Sequence, residues 1–274
     1  MNAAERAERF AALHASGCFA LPNAWDAGSA RIMEHAGAVA IATTSAGIAW
    51  QLGRRDYAVN LAESLDNARV LMAATDLPVS ADLEDGFGAS PEDCASTVRA
   101  AGEAGLAGCT IEDTTRDAAS PIHDFDHAVA RIRAAVQAAR ALGRPFVLTA
   151  RAENFLNGRP DLDDTIRRLV AFAEVGADCL YAPFLPDMDA IRQAVTAVAP
   201  KPVNVLAGPR SGYVPLAVLA DAGVRRVSAG GLLARAAYAH TIEMTRAMLA
   251  GDLPRLASVP PGAELNAAMR GKGD

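Results

Sequence analysis

Aromatic residues are scarce in this sequence: Phe, Trp and Tyr make up 5% of 274 residues, although 51% are hydrophobic. Cysteine is sparser still. Cys18, Cys94, Cys109 and Cys179 sit singly in apolar segments with no CxxC pair, which excludes a disulfide framework and a thiolate metal centre and leaves buried, reduced thiols. A chain this long buries enough surface to stand without such staples. Positive charge is also in deficit. With 26 Lys+Arg against 32 Asp+Glu the net charge is −6, which argues against nucleic acid or an anionic membrane as the main partner. No apolar run approaches the roughly 18 residues of a membrane span. The opening MNAAERAERFAALHASG carries acids and lacks an apolar centre, so no secretory leader is expected and a cytoplasmic location is. The GxGxxG of a dinucleotide-binding open sheet is missing after the first strand, where LPNAWDAGSA stands instead.

What is present is an alternation. Short apolar, β-prone runs occur at Cys18–Asn23, Val39–Ser45, Pro78–Glu84, Gly108–Asp113, Phe146–Glu153, Cys179–Phe184, Pro202–Ala207 and Arg225–Gly230. They lack strict alternation, as expected of parallel strands buried on both faces. Amphipathic stretches lie between them, at Asp26–Ala36, Leu61–Thr75, Pro91–Ala104, Phe125–Leu142, Leu162–Val175, Met188–Val198, Val214–Ala222 and Leu232–Ala250. Glycine marks their ends in HAGAV, EAGLAG, ALGRP, EVGAD and DAGVR, and Ser90-Pro91-Glu92-Asp93 reads as a capped start. Eight strand–helix pairs in about 230 residues predict an α/β fold, a (β/α)8 TIM barrel. The expected organisation is one barrel domain: a helix within 1–17, the barrel over 18–250 and a tail over 251–274. The first helix would close the barrel bottom or contact another subunit. The tail, with Pro260-Pro261 and a short helical patch, would wrap over a neighbour or fray.

In such a barrel the chemistry belongs at the C-terminal strand ends, and the acids gather there. Period two places Ser80, Asp82 and Glu84 on one face of the third strand. The fourth ends in Glu112-Asp113, the fifth carries Arg151 and Glu153, and Asp56 follows the second. Converging carboxylates repel and take up protons unless a cation neutralises them, and an all-oxygen set favours Mg2+, or Mn2+, over Zn2+. A single acid at a strand end is often only a helix cap, which is the competing account of Asp85 and Asp113. The pair Asp82 and Glu84 inside an apolar strand is harder to explain that way. Among the five histidines His123 alone is placed within reach of the mouth. The segments Ala207-Gly208-Pro209, Ser228-Ala229-Gly230-Gly231 and Thr43-Thr44-Ser45-Ala46-Gly47 offer backbone donors for an anion.

The ordered set LPNAWDAGSARIMEHAG, IATTSAGIAWQLGRRD, SADLEDGFG, CTIEDT, LTARAENFL and GVRRVSAGG resembles the isocitrate lyase/phosphoenolpyruvate mutase superfamily, from Leu21 to about Ala250. The resemblance implies a Mg2+-dependent lyase that makes or breaks a C–C bond beside a small 2-oxo acid through an enolate. The alternatives it leaves are a phosphonomutase or hydrolase acting on a C–P bond, and a barrel that only binds a 2-oxo acid or metal. It implies a homotetramer whose last barrel helix is swapped between paired subunits. By the same resemblance Asp82 anchors the metal, Asp56, Glu84 and Glu112 hold its water shell, Thr44, Ser45 and Ala46 cradle the substrate carboxylate, and Arg151 binds the anionic end. Asp56, Glu112 and Arg151 are thus the catalytic candidates, and Asp82, Glu84 and Glu112 the metal set. The family's lyases carry a Lys-Lys/Arg-Cys-Gly-His loop where this chain has DTTRDAASPIHDFD, which disfavours isocitrate and methylisocitrate cleavage. The mutase branch has a longer loop with Lys, Thr and Asn and a histidine on the sixth strand, where Pro183 stands here. Glu84 replaces the commoner Asp. The acid/base is left open, with Arg116, His123 and Tyr181 as candidates.

Overall fold

The computed structural model describes residues 1–208 and 213–270. In chain order the elements are α1 (Ala3–Leu13), β1 (Phe19–Leu21), β2 (Asn23–Ala24), α2 (Ala27–His35), β3 (Ile41–Thr43), α3 (Ser45–Gln51), α4 (Leu61–Ala74), β4 (Val79–Asp82), α5 (Pro91–Glu103), β5 (Gly108–Glu112), α6 (Phe125–Arg140), β6 (Val147–Arg151), α7 (Leu162–Glu174), β7 (Cys179–Tyr181), α8 (Met188–Val198), β8 (Val203–Leu206), α9 (Leu216–Asp221), β9 (Arg226–Ser228), α10 (Leu232–Leu249) and α11 (Gly262–Met269). Every strand pair is parallel, in the order β1-β9-β8-β7-β6-β5-β4-β3-β2. This is the expected TIM-barrel fold. No described helix is long and apolar enough to cross a membrane.

The first strand candidate, Cys18–Asn23, is in fact two pieces. Pro22 has no N–H to give a ladder, so the chain pairs with β9 before it and with β3 after it. The side chain of Asn23 mends the seam: its Oδ1 accepts from the amides of Ala229 and Gly230 at 2.9 and 2.8 Å, and its Nδ2 donates to Thr43 O at 2.7 Å. The other strands are one to three residues shorter at their C-terminal ends than their apolar runs.

The helices start and stop where capping chemistry dictates. Asp26, Asn60, Ser90, Asp124, Asp161 and Asp187 each accept an amide of the first turn. Gly37, Gly105, Gly176 and Gly223 follow helix ends with φ between 89° and 106°, a region open to glycine. The second strand stops at Thr43 rather than Ser45, and Thr44–Gly47, offered as an anion cradle, is the start of α3, with Thr44 as its cap. The helix expected from Val214 begins only at Leu216, after Pro215. The tail returns to the body, where α11 packs on α2 and Met269 Cε lies 3.6 Å from where a Gly28 side chain would be.

The bottom of the barrel is plugged by α1. Ala7 and Phe10 are fully buried against residues at strand starts, among them Phe19, Val147 and Cys179. Arg226 points into this interior, 2% exposed, and its side-chain partners among the described residues are neutral: Asn204 Oδ1 at 2.8 Å, Thr149 Oγ1 at 3.0 Å and His14 Nε2 at 3.3 Å. His14 Nδ1 lies 2.8 Å from Phe10 O, so the neutral tautomer donates there and leaves Nε2 as the acceptor. Burial first, and then the Arg226 charge, lower the His14 pKa to about 3.

A histidine held neutral while the unfolded chain protonates near 6.5 favours unfolding as pH falls. Stability should therefore decline as pH falls from about 6.5 towards about 3. Thermal melts of His14→Gln against the parent across this window should show a shallower decline in the variant. An equal slope in both proteins would refute the assignment.

Candidate active site

Strand register builds the centre of the site. Glu112 of β5 pairs with Arg151 of β6, and Arg151 with Tyr181 of β7, so three side chains stand in one row at the C-terminal ends. Arg151 Nη1 lies 3.1 Å from Glu112 Oε2 and 4.0 Å from Asp82 Oδ1, its Nε is ion-paired with Glu153, and its guanidinium sits 5.0 Å from the Tyr181 ring centroid. Burial works against the charge of Arg151, but Glu153 and Glu112 outweigh it and raise its pKa.

Asp82 closes β4. Its Oδ2 accepts the Ser45 amide at 3.2 Å, its Oδ1 accepts the Thr110 hydroxyl at 3.3 Å, and its own amide donates to Thr43 Oγ1 at 2.9 Å. The first turn of α3 thus leans on this carboxylate. Gly47 lets α3 pack against Trp25 and its own cap, since a Cβ there would lie 2.6 Å from Thr44 Cγ2 and 2.9 Å from Trp25 Cβ. Asp56 Oδ1 accepts the Tyr57 amide at 3.0 Å and the Ser45 hydroxyl at 3.5 Å.

Glu84 does not share the β4 face, as period two had it. The strand ends at Asp82, and Glu84 lies beyond it with φ of 49°. Its carboxylate is 1% exposed and ion-paired with Arg116, which also reaches Asp85 Oδ1 at 2.7 Å. Its other oxygen, Oε1, is buried with no hydrogen-bond partner among the described residues. Glu112, also buried, accepts the Tyr57 hydroxyl at 3.0 Å.

A cavity of about 820 Å³ opens over this floor. Thr44, Ser45, Ala46, Asp56, Asp82 and Arg151 line it, whereas Glu84 and Glu112 stand behind its wall. Burial, with the Asp82 charge second, raises the pKa of Asp56 and brings Glu84 to about 8. Burial also raises Glu112, against the pull of Arg151. Among the described residues no three His, Cys, Asp or Glu side chains converge closely enough to hold one ion together. The donor set fits an ion held by Asp82 at the cavity, with Asp56, Glu84 and Glu112 around it. All are hard oxygen donors, the four carboxyls outnumber the two guanidiniums of Arg151 and Arg116 beside them, and the buried Glu84 Oε1 lacks a donor among the described residues.

Of the acid/base candidates, Arg116 lines the cavity. Tyr181 lies below it, near Arg151. His123 does not reach it: its ring packs 4.9 Å from that of His127, and burial lowers its pKa to about 4. Asp113 is engaged structurally, accepting the Glu153 amide at 2.8 Å and pairing with Arg168 at 3.0 Å. Gly208 and Gly231 line the cavity, and Pro209 lies outside the described residues. Sequence reasoning missed Tyr57, the neighbour of Asp56, and Arg235, one turn into α10 behind the Gly pair, both of which line the cavity. Non-glycine residues with positive φ gather here too. Tyr57, Arg116 and Phe184 line the cavity with φ of 61°, 63° and 62°, and Glu84 and Phe87 contact Arg116.

Three relatives bear on the chemistry. A solved structure from Burkholderia cenocepacia J2315, described provisionally as a lyase/mutase, is 48% identical and covers 98% of this chain and 97% of its own, with a TM-score of 0.94. The oxaloacetate decarboxylase of a Bradyrhizobium strain is 30% identical, over 92% of this chain and 88% of that protein. Oxaloacetate acetylhydrolase, solved with 3,3-difluorooxalacetate, is 26% identical, with a TM-score of 0.85 over 96% and 92% of the two chains. The family model for phosphoenolpyruvate phosphomutase matches residues 10–249. The chain therefore belongs to the isocitrate lyase/phosphoenolpyruvate mutase superfamily of lyases and mutases.

Proposed function

We propose that the protein is a Mg2+-dependent lyase that cleaves or forms a C–C bond next to a small 2-oxo acid, by way of an enolate. The observation that carries this reading is Arg151 beside Asp82 at the C-terminal strand ends: a largely buried guanidinium and a carboxylate face one cavity, with Glu112 behind them. Asp82 would hold the ion, with Asp56, Glu84 and Glu112 about it. Bound Mg2+, or Mn2+, supplies polarisation of the 2-oxo group and offsets charge that builds on its oxygen. Arg151 neutralises the anionic end of the substrate, and its own position is fixed by Glu112 and Glu153. The Thr44 and Ser45 hydroxyls and the Ala46 amide, at the cavity wall, orient the carboxylate. Tyr57 holds Glu112 from the opposite side.

The named relatives favour C–C chemistry on oxaloacetate-like acids, while the family model's own description keeps C–P chemistry as the second reading. The same reading makes the protein a cytoplasmic homotetramer with α10 exchanged between paired subunits. In support, α10 buries Ala234 and Ala247, while Leu233, Ile242, Met248 and Leu249 stay exposed.

Asp82→Ala should lose Mg2+ binding and keep the fold; calorimetry finding parental affinity in a variant with an unchanged far-UV spectrum would sink the metal assignment. With Mg2+ present, oxaloacetate, 2-methylisocitrate, dimethylmalate and phosphonopyruvate should be offered and pyruvate, oxalate or other keto acids followed. Turnover of a C–C substrate is expected. Turnover of phosphonopyruvate alone would establish the C–P reading, and Mg2+ binding without any turnover would establish a binding protein. On the substrate so found, Arg151→Met should lower kcat/KM by about 10²–10³-fold, the effect of removing one charge-stabilising donor. It should also lower Tm, because Glu112 and Glu153 lose their buried partner.

A further inference from the structure

The loop between β5 and α6 brings a cation of its own to the acid cluster. It is short and internally tied. Thr114 and Ile122 form an antiparallel bridge, the Thr115 amide donates to Pro121 O at 3.0 Å, and the Thr114 hydroxyl donates to the same oxygen at 3.0 Å. Arg116 stands on this loop in the left-handed region, φ 63°, which non-glycine residues rarely adopt. Its surroundings hold it there. The guanidinium lies 5.4 Å from the Tyr57 ring centroid and 5.8 Å from that of Phe87, and its Nη2 engages both Glu84 and Asp85. A guanidinium does not give up its proton, so this residue is no general acid. Its function is its charge and its fork of donors.

Glu84 is where that charge meets the metal reading. It is buried among acids, with the charges of Asp82, Glu112 and Asp56 all acting on it. One of its oxygens is taken by Arg116 and the other has no partner among the described residues. In the metal reading Glu84 helps to hold the water shell of a divalent ion at Asp82, so Arg116 and that ion draw on the same carboxylate.

We propose that Arg116 is a built-in counter-cation of the acid cluster, competing with a divalent ion for Glu84. The inference rests on the metal reading above. The metal-free enzyme is then never a bare nest of carboxylates, because the loop supplies a placeholder charge. Metal affinity is set by how firmly this loop holds Arg116 on Glu84, as well as by the acids.

The test is calorimetric titration of Mg2+ into chelator-treated full-length protein. Arg116→Gln and Arg116→Met should each bind Mg2+ about tenfold or more tightly than the parent, the scale on which one adjacent charge biases a carboxylate. Arg116→Lys, which keeps the charge, should stay within about threefold of the parent. In a Glu84→Gln background the gain from Arg116→Gln should fall below about twofold, since the shared partner is gone. Equal or weaker binding by the charge-removed variants overturns the proposal, and so does an undiminished gain in the Glu84→Gln background. If the parent binds Mg2+ and the variants match it, this inference fails alone; if none of the proteins binds, the metal reading fails and takes the inference with it.

Discussion

Arg151 is a cation taken out of water and surrounded by carboxylates, and neither side of that arrangement is stable without the other. Glu153 and Glu112 are buried as well, so each depends on the guanidinium for the charge balance that water would otherwise supply. Parallel register is what brings them together. Pairing of Glu112 with Arg151 and of Arg151 with Tyr181 aligns acid, base and ring across three neighbouring strands. A shift of one residue in either ladder would turn the guanidinium to the other face of the sheet. The hydrogen bonds of the barrel and the electrostatics of its mouth are in this sense a single constraint.

Around this row the backbone departs from its preferred conformations. Among the described residues, five of the six non-glycine residues with positive φ line the cavity or touch Arg116. Such residues persist only where their surroundings over-determine them. Here the aromatic rings of Tyr57 and Phe87 and the acids Glu84 and Asp85 do so for Arg116. Stability is generated elsewhere, in the large apolar cluster between helices and barrel and in the plug of α1.

Much of this was legible in the sequence. Strand positions could be read because parallel strands buried on both faces leave continuous apolar runs, and helix limits because Asp, Asn and Ser caps and terminal glycines mark them. The acids could be placed at one mouth because each stands at or just after the end of its strand. Other features were hidden for physical reasons. The helix α3 is seven residues long and begins inside the run read as strand, too short for its periodicity to show. The placement of Glu84 was misread because side-chain alternation says nothing of a left-handed turn. The Glu84–Arg116 pair spans 32 residues and depends on two loops meeting. Tyr57 and Arg235 belong to no motif, and only the closed barrel shows what they face.

The seam at Pro22 ties the making of the fold to the making of the site. A ring of strands normally closes on main-chain bonds alone, but here a carboxamide bridges the gap, joining β3 to the turn that launches α10. The stretch Ala229–Gly231 that this side chain secures is also a rim of the cavity. One side chain thus serves both the closure of the barrel and the shape of its mouth.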